Sequence, residues 1–285
     1  MKTALWITLA WLLGFAPAGC APRGNPAPPD IATLSRSRPF GGETRLEADI
    51  RFDLGTVEIT RETDLLYSLD LEYDRGRHDP RVEYVPGAQG RLFCRLQNRE
   101  AGRIGREHKN FLRLGLGDSV PLDLRLVSGV GETRLSLSGL RLASLDVESG
   151  VGAAKISAYE PNPVGCGRIR FRSGVGSLEA VGLANLNFRE LRFEGGVGGG
   201  TLDFSGEWRR DADIHIEVGV GGVDLRFSRE AGVRVEAARN FLSGIRLEGF
   251  NLKDGAWYSE NYDRAAVKVN VKAVTGVGGL KITWL

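Results

Sequence analysis

Three histidines, three cysteines and a recurring glycine pattern are the residues of this chain with the clearest potential for chemistry. His78 and His108 lie in polar stretches with no cysteine or second histidine at metal-ligand spacing. His215 stands between Ile214 and Ile216, the outward place of an alternating strand, and reads as a solvated surface residue. The glycines recur as Gly-Val-Gly, and two ligand chemistries suit glycine-rich loops. Phosphate loops connect a strand to a helix N-terminus, and no amphipathic helix follows any copy. Calcium-binding nonapeptides run Gly-Gly-x-Gly-x-Asp, and Gly195-Gly196-Val197-Gly198-Gly199-Gly200 has Gly200 where the ligand Asp should be. No Gly-x-Ser-x-Gly elbow, His-Glu-x-x-His or Walker loop is present. The outward place after each corner reads Arg134, Lys155, Glu179, Thr201, Asp224 and Lys281, which builds no acidic cluster of the kind a β-helix carbohydrate lyase would use. The chain therefore reads as non-enzymatic, with no catalytic residue, cofactor or metal assigned. A net charge of +2 gives no electrostatic case for nucleic acid.

The cysteines divide by position. Residues 1–20 read as a signal peptide, with Lys2 at the start and an apolar core over 4–16 that is too short to span a membrane. Two cleavage patterns compete: Ala16-Pro17-Ala18 suits ordinary signal peptidase, and Pro17-Ala18-Gly19-Cys20 resembles a bacterial lipobox with Cys20 as the lipidated residue. The proline-rich stretch that follows favours lipidation, because it reads as a tether over 21–39. The expected location is the cell envelope, lipid-anchored at the outer membrane or cell surface. Cys94 and Cys166 then remain, either as a disulfide worth about 3–4 kcal/mol in an oxidising compartment or as two free buried thiols.

The elements that carry these residues are set by the repeat. Gly-Val-Gly occurs at Gly129–Gly131, Gly150–Gly152, Gly174–Gly176, Gly196–Gly198, Gly219–Gly221 and Gly276–Gly278, at intervals of 21, 24, 22, 23 and 57 residues. Leu124, Leu145, Ile169, Leu191, Ile214 and Val271 precede the first glycine by five residues; Leu126, Val147, Phe171, Phe193, Ile216 and Ala273 precede it by three. Polar residues fill the places between, as in a half-buried strand. Alternation resumes after the corner, with Leu135, Ile156, Ala180, Leu202, Leu225 and Ile282 in one inward place. Each unit reads strand, glycine corner, strand and return loop, with the central valine expected to face inward. The fold expected is all-β, a single-stranded parallel β-helix or solenoid of repeats of about 21–24 residues. Residues 40–118 read as degenerate coils, with Leu112–Gly117 leading into a regular array over 119–285. The 57-residue interval holds two further coils, or one coil and an excursion. Its aromatic loop, Trp257, Tyr258 and Tyr262, reads first as a cover over the end of the stack, and as the candidate interaction loop if its rings stack on sugars. Outward charges alternate in sign between copies, as in Glu148, Arg172 and Glu194, and read as register control.

Phe111–Leu124, with its Pro-Leu-Asp-Leu run, continues into Ser128-Gly129-Val130-Gly131-Glu132 and Leu135-Ser136-Leu137-Ser138-Gly139-Leu140. This stretch resembles the bacterial toast-rack domain, and Trp257–Leu285 is similar to that family's closing segment. The resemblance implies a stack of parallel strands. It also implies kinship with extracytoplasmic domains of regulators of the cell-wall-antibiotic stress response and with surface adhesins. The partner implied is an envelope protein or cell-wall glycan, reached from a lipid anchor in the membrane.

Overall fold

The computed structural model describes residues 29–99, 110–237 and 243–285. The signal segment and Cys20 lie outside them. The strands run β1 Ile31–Pro39, β2 Arg45–Glu62, β3 Leu65–Asp74, β4 His78–Val85, β5 Gln89–Asn98, β6 Phe111–Gly117, β7 Leu122–Ser136 and β8 Leu142–Ser157. They continue as β9 Cys166–Val181, β10 Phe188–Phe204, β11 Ala212–Phe227, β12 Ala231–Ala237, β13 Ser243–Leu247, β14 Phe250–Lys253, β15 Ala256–Ser259 and β16 Val267–Trp284. All join one sheet. The fold is all-β, as the alternation requires. β1 occupies the second part of what the sequence reads as tether, because its residues pair antiparallel with β3 from Ile31 to Pro39.

The body is β2, β7, β8, β9, β10, β11 and β16, paired parallel with every corner in register. The corner does not divide a unit into two strands. Lateral pairing runs through it, so each unit is one long strand that bends at its glycines. The reason is visible at the second glycine of each copy, where φ lies between 136° and 147°. A Cβ there would fall far inside contact distance of the carbonyl oxygen of the equivalent glycine one strand away. Only glycine allows successive backbones to approach this closely while turning. Gly55 of β2 takes the same role, with φ 130°, in the Asp-Leu-Gly corner.

The inward rows are as expected. Leu124, Leu145, Ile169, Leu191 and Ile214 lie in register, and so do Leu126, Val147, Phe171, Phe193 and Ile216; all are buried. In the return segments, buried asparagines saturate the backbone. Asn162 donates to the carbonyls of Leu142 and Leu186 (2.7 and 3.0 Å) and accepts from the N–H of Leu142 at 3.0 Å. Burying these chain turns is tolerable only because their polar groups are paired in this way.

Sequence order and spatial order part at both ends. β5 and β6 flank the two halves of β2 on the side away from β7. Leu112–Gly117 therefore lies outside β2 and does not lead into β7. At the other end β16 inserts between β11 and the coil formed by β12 and β13. The 57-residue interval is thus one coil and an excursion, the hairpin β14–β15. Antiparallel strands finish both ends: β3 and β1 beyond β6, β4 beyond β5, and β15 and β14 beyond β12.

Candidate functional site

The outward surface of the corner is where the structure departs most usefully from the sequence reading. The central valine faces solvent. Val151, Val175, Val197, Val220 and Val277 are between 45% and 52% exposed, and Val130 and Leu54 continue the row in register. The physical reason is a change of phase. Inward residues fall at odd distances before the first glycine and at even distances after it, so one residue is consumed by the bend and the valine is thrown outward. Seven apolar side chains over six strand intervals make a ridge roughly 29 Å long. A contiguous exposed apolar row of this length is unusual on a soluble surface.

Beside the ridge lies a groove of about 840 Å³. Gly199, Gly222, Gly279 and Gly244 form its floor, and Glu179, Thr201, Asp224 and Lys281 form the facing rail. Within the rail, Asp224 accepts from Arg226 at 3.2 Å and stands 3.9 Å from Lys281. The side of the ridge before the corner carries the sign-alternating ladder. Arg172 bridges Asp146 (3.2 Å) and Glu148 (2.9 Å) on the neighbouring strand. Each such exposed pair contributes a few tenths of a kcal/mol, so the ladder favours register more than stability.

The aromatic loop has its hydrophobic bodies committed to the end of the stack. Trp257 is in β15, paired opposite Val235 and packed on the core. Tyr258 and Tyr262 meet edge-on with centroids 5.0 Å apart, and the Tyr258 hydroxyl accepts from Arg234 at 3.0 Å. Lys268 lies 4.7 Å from the Tyr262 ring centroid. This is the end-covering arrangement, with partial exposure of the rings.

Cys94 and Cys166 are free and buried. Cys94 is in β5 and Cys166 in β9, with β2, β7 and β8 between them. Four strand intervals separate the two strands by roughly 19 Å, and Phe171, not Cys166, is the residue of β9 in register with Cys94, so the thiols lie well beyond the reach of a disulfide. Burial pushes both thiols up to about 12. This rules out the bridge that the sequence left open.

His78 is not in a solvated loop. It opens β4 and is 2% exposed. Asn110 donates its Nδ2 to Nε2 at 3.2 Å, which leaves Nδ1–H to donate to the Asp74 carbonyl at 3.3 Å. Burial holds its pKa below the ordinary value. His215 is outward, in register with Arg192 and Lys272, and His108 lies outside the described residues. No three His, Cys, Asp or Glu residues converge as a metal site among the described residues. A buried carboxylate, Glu43, helps hold the N-terminal end together. Burial raises the pKa of Glu43, but hydrogen bonds from Tyr84 (2.7 Å) and the Gly41 N–H (2.7 Å), with the Arg38 charge, bring it below the usual range.

A sheet of parallel strands, bent in register at glycine corners and bearing its polar features on the outside, defines a stacked β-repeat protein. The family model described as the N-terminal domain of toast_rack matches residues 30–179 and 168–226, and the chain belongs to this family. Among solved structures, the fold is shared with a "putative cell adhesion protein" from Clostridium sporogenes. That alignment has 17% identity and a TM-score of 0.50, and covers 90% of this chain and 100% of that one. A "putative adhesin" from Bacteroides fragilis aligns at 14% identity and a TM-score of 0.40, over 89% of this chain and 97% of that one. No curated protein matches the sequence.

Proposed function

We propose that the protein is a non-enzymatic component of the bacterial cell envelope that presents a rigid β-sheet surface to an envelope protein or cell-wall glycan. In this reading Cys20 carries a lipid, and the proline-rich segment after it holds the sheet off the membrane. The observation that carries the reading is the valine ridge beside its glycine-floored groove: an exposed apolar row fixed in register by lateral pairing. Family membership and the toast-rack resemblance support an envelope role, including a part in sensing envelope stress. The adhesin form of the reading is supported by the shared fold with the Clostridium sporogenes protein. The Trp257–Tyr262 loop contributes less to it, because its rings are partly spent on closing the stack.

The test uses the full chain in intact cells, with a photo-cross-linking residue at Thr201 in the groove and with or without a cell-wall antibiotic. One dominant protein adduct that changes with the drug supports a sensing or assembly module. Adducts to glycan alone, unchanged by the drug, support the adhesin form. An adduct pattern that survives Val197→Asp with Val220→Asp refutes the ridge as the surface. The anchor is tested separately: Cys20→Ala abolishes palmitate labelling, and a wild-type mature chain beginning at unmodified Gly19 refutes lipidation.

A further inference from the structure

Away from the valine ridge, near the N-terminal end, three arginines share one outward row. Arg51 of β2 pairs across to Arg95 of β5, and Arg95 pairs across to Arg81 of β4. Adjacent strands are about 4.8 Å apart, and like charges directly opposite destabilise a sheet. Like charges meet elsewhere too, as Arg170 opposite Arg192 and Glu194 opposite Glu217, but there an opposite charge stands directly beside the pair in the same row, Asp146 beside Arg170 and Arg172 beside Glu194. The two outer arginines have acids of their own: Arg51 is bidentate to Asp49 (3.0 and 3.2 Å), and Arg81 lies 3.7 Å from Asp79. Arg95, between them and half-buried, has no acidic partner among the described residues.

The next row on the same face reads Asp49, Phe93, Glu83. Phe93 is 38% exposed, an aromatic ring presented between two carboxylates. These six side chains line a groove of about 350 Å³, large enough for a small ligand and too small for a protein interface.

We propose that this groove binds an acidic sugar, a pyranose ring bearing a carboxylate or phosphate group. Each part of the ligand has a counterpart. The apolar C–H face of the ring lies on Phe93. Hydroxyls donate to Asp49 and Glu83, which only accept. The anionic group meets the Arg95 guanidinium, whose planar donors suit carboxylate and phosphate, and it relieves the repulsion within the arginine row. A bare inorganic anion leaves Phe93 without a role and is repelled by Asp49 and Glu83. A neutral sugar leaves Arg95 unmatched. The proposal rests on the adhesin form of the function given above and names its ligand class.

The experiment is calorimetric titration of the full chain in detergent with a glucuronic-acid disaccharide, glucose 1-phosphate, glucose and inorganic phosphate, at low and high salt. The expected result is binding of at least one acidic sugar, weakened by salt, with glucose and phosphate each bound at least tenfold more weakly. Arg95→Gln and Phe93→Ala each weaken binding about tenfold or more. Arg192→Gln, which removes a guanidinium already paired with Glu190 and Glu194 of its own strand, leaves it unchanged. The thermal midpoint of Arg95→Gln stays equal to or above the parent, so lost binding cannot be put down to misfolding. The disaccharide and the sugar phosphate distinguish carboxylate from phosphate as the recognised group. No binding of either acidic sugar, equal binding of inorganic phosphate, or unaltered binding by Arg95→Gln overturns the proposal. The ridge cross-linking experiment reads a different surface, so either reading can fail alone.

Discussion

Gly221 and Gly222 are neighbours in β11, yet substitution by alanine should move stability in opposite directions. Gly221 has φ 139°, and its added Cβ would fall far inside contact distance of the Gly198 carbonyl oxygen. The cost has two parts: holding a side chain in a backbone region reserved for glycine, about 1–3 kcal/mol, and pushing two hydrogen-bonded strands apart, about 1–3 kcal/mol. Gly221→Ala is therefore expected to destabilise by about 2–6 kcal/mol. At Gly222 φ is ordinary, and the nearest atom to an added Cβ is the Gly279 carbonyl oxygen at 3.7 Å, a normal contact. There the substitution mainly removes freedom from the unfolded chain, so Gly222→Ala is expected to stabilise by about 0.5–1 kcal/mol. Urea unfolding followed by far-ultraviolet circular dichroism reads both. With a slope of roughly 2–3 kcal/mol per molar urea, Gly221→Ala lowers the midpoint by about 0.7–3 M, and Gly222→Ala raises it by a few tenths. Equal shifts for the two variants, or a neutral Gly221→Ala, would refute the account of the corner as a close backbone approach.

His78 should make stability fall as pH drops below about 6.5. Its folded pKa is depressed, so the unfolded chain takes up its proton first; the contribution is complete above the unfolded pKa and is lost as pH falls towards the folded one. Thermal midpoints against pH should show this slope, and His78→Gln should remove it. A separate loss below about pH 4 is expected from Glu43 and Asp123, whose carboxyls are held below their usual range, and Glu43→Gln should reduce it. Cys94 and Cys166 should stay unlabelled by a thiol reagent in the folded protein and react together on unfolding, with no change in unfolding midpoint on adding reductant. Val197→Thr should change stability by less than about 1 kcal/mol, because the side chain is half exposed and threonine keeps the β-branch.

The sequence carried the strands and corners because both depend on local alternation and on glycine. Leu124, Leu126 and Leu135 announce inward faces whatever their neighbours are. It also carried the end cover, because an aromatic group outside the repeat suits a terminal coil that would otherwise expose its edge. Neighbour relations are another matter. Alternation says which face a residue takes but not which strand lies beside it, so the separation of Cys94 from Cys166 and the meeting of Arg51, Arg81 and Arg95 were not legible. The outward valine was legible in principle, in the switch from odd to even inward places across the corner. The burial of His78 depends on Asn110, which is 32 residues away and supplies no local signal.

The insertion of β16 has a consequence for how the sheet is assembled. β16 is made after every other described strand yet is an interior strand, with β11 on one side and β12 and β13 on the other. While the chain is being made, β11 presents a full-length open edge and the terminal coil has nothing to rest on. This part of the sheet waits for Val267–Trp284, which acts as a keystone joining two parts already synthesised. A chain cut short before Val267 would keep most of its sequence and still lack the strand that attaches its closing coil. Its exposed edge would then be free to pair with a second unfinished chain.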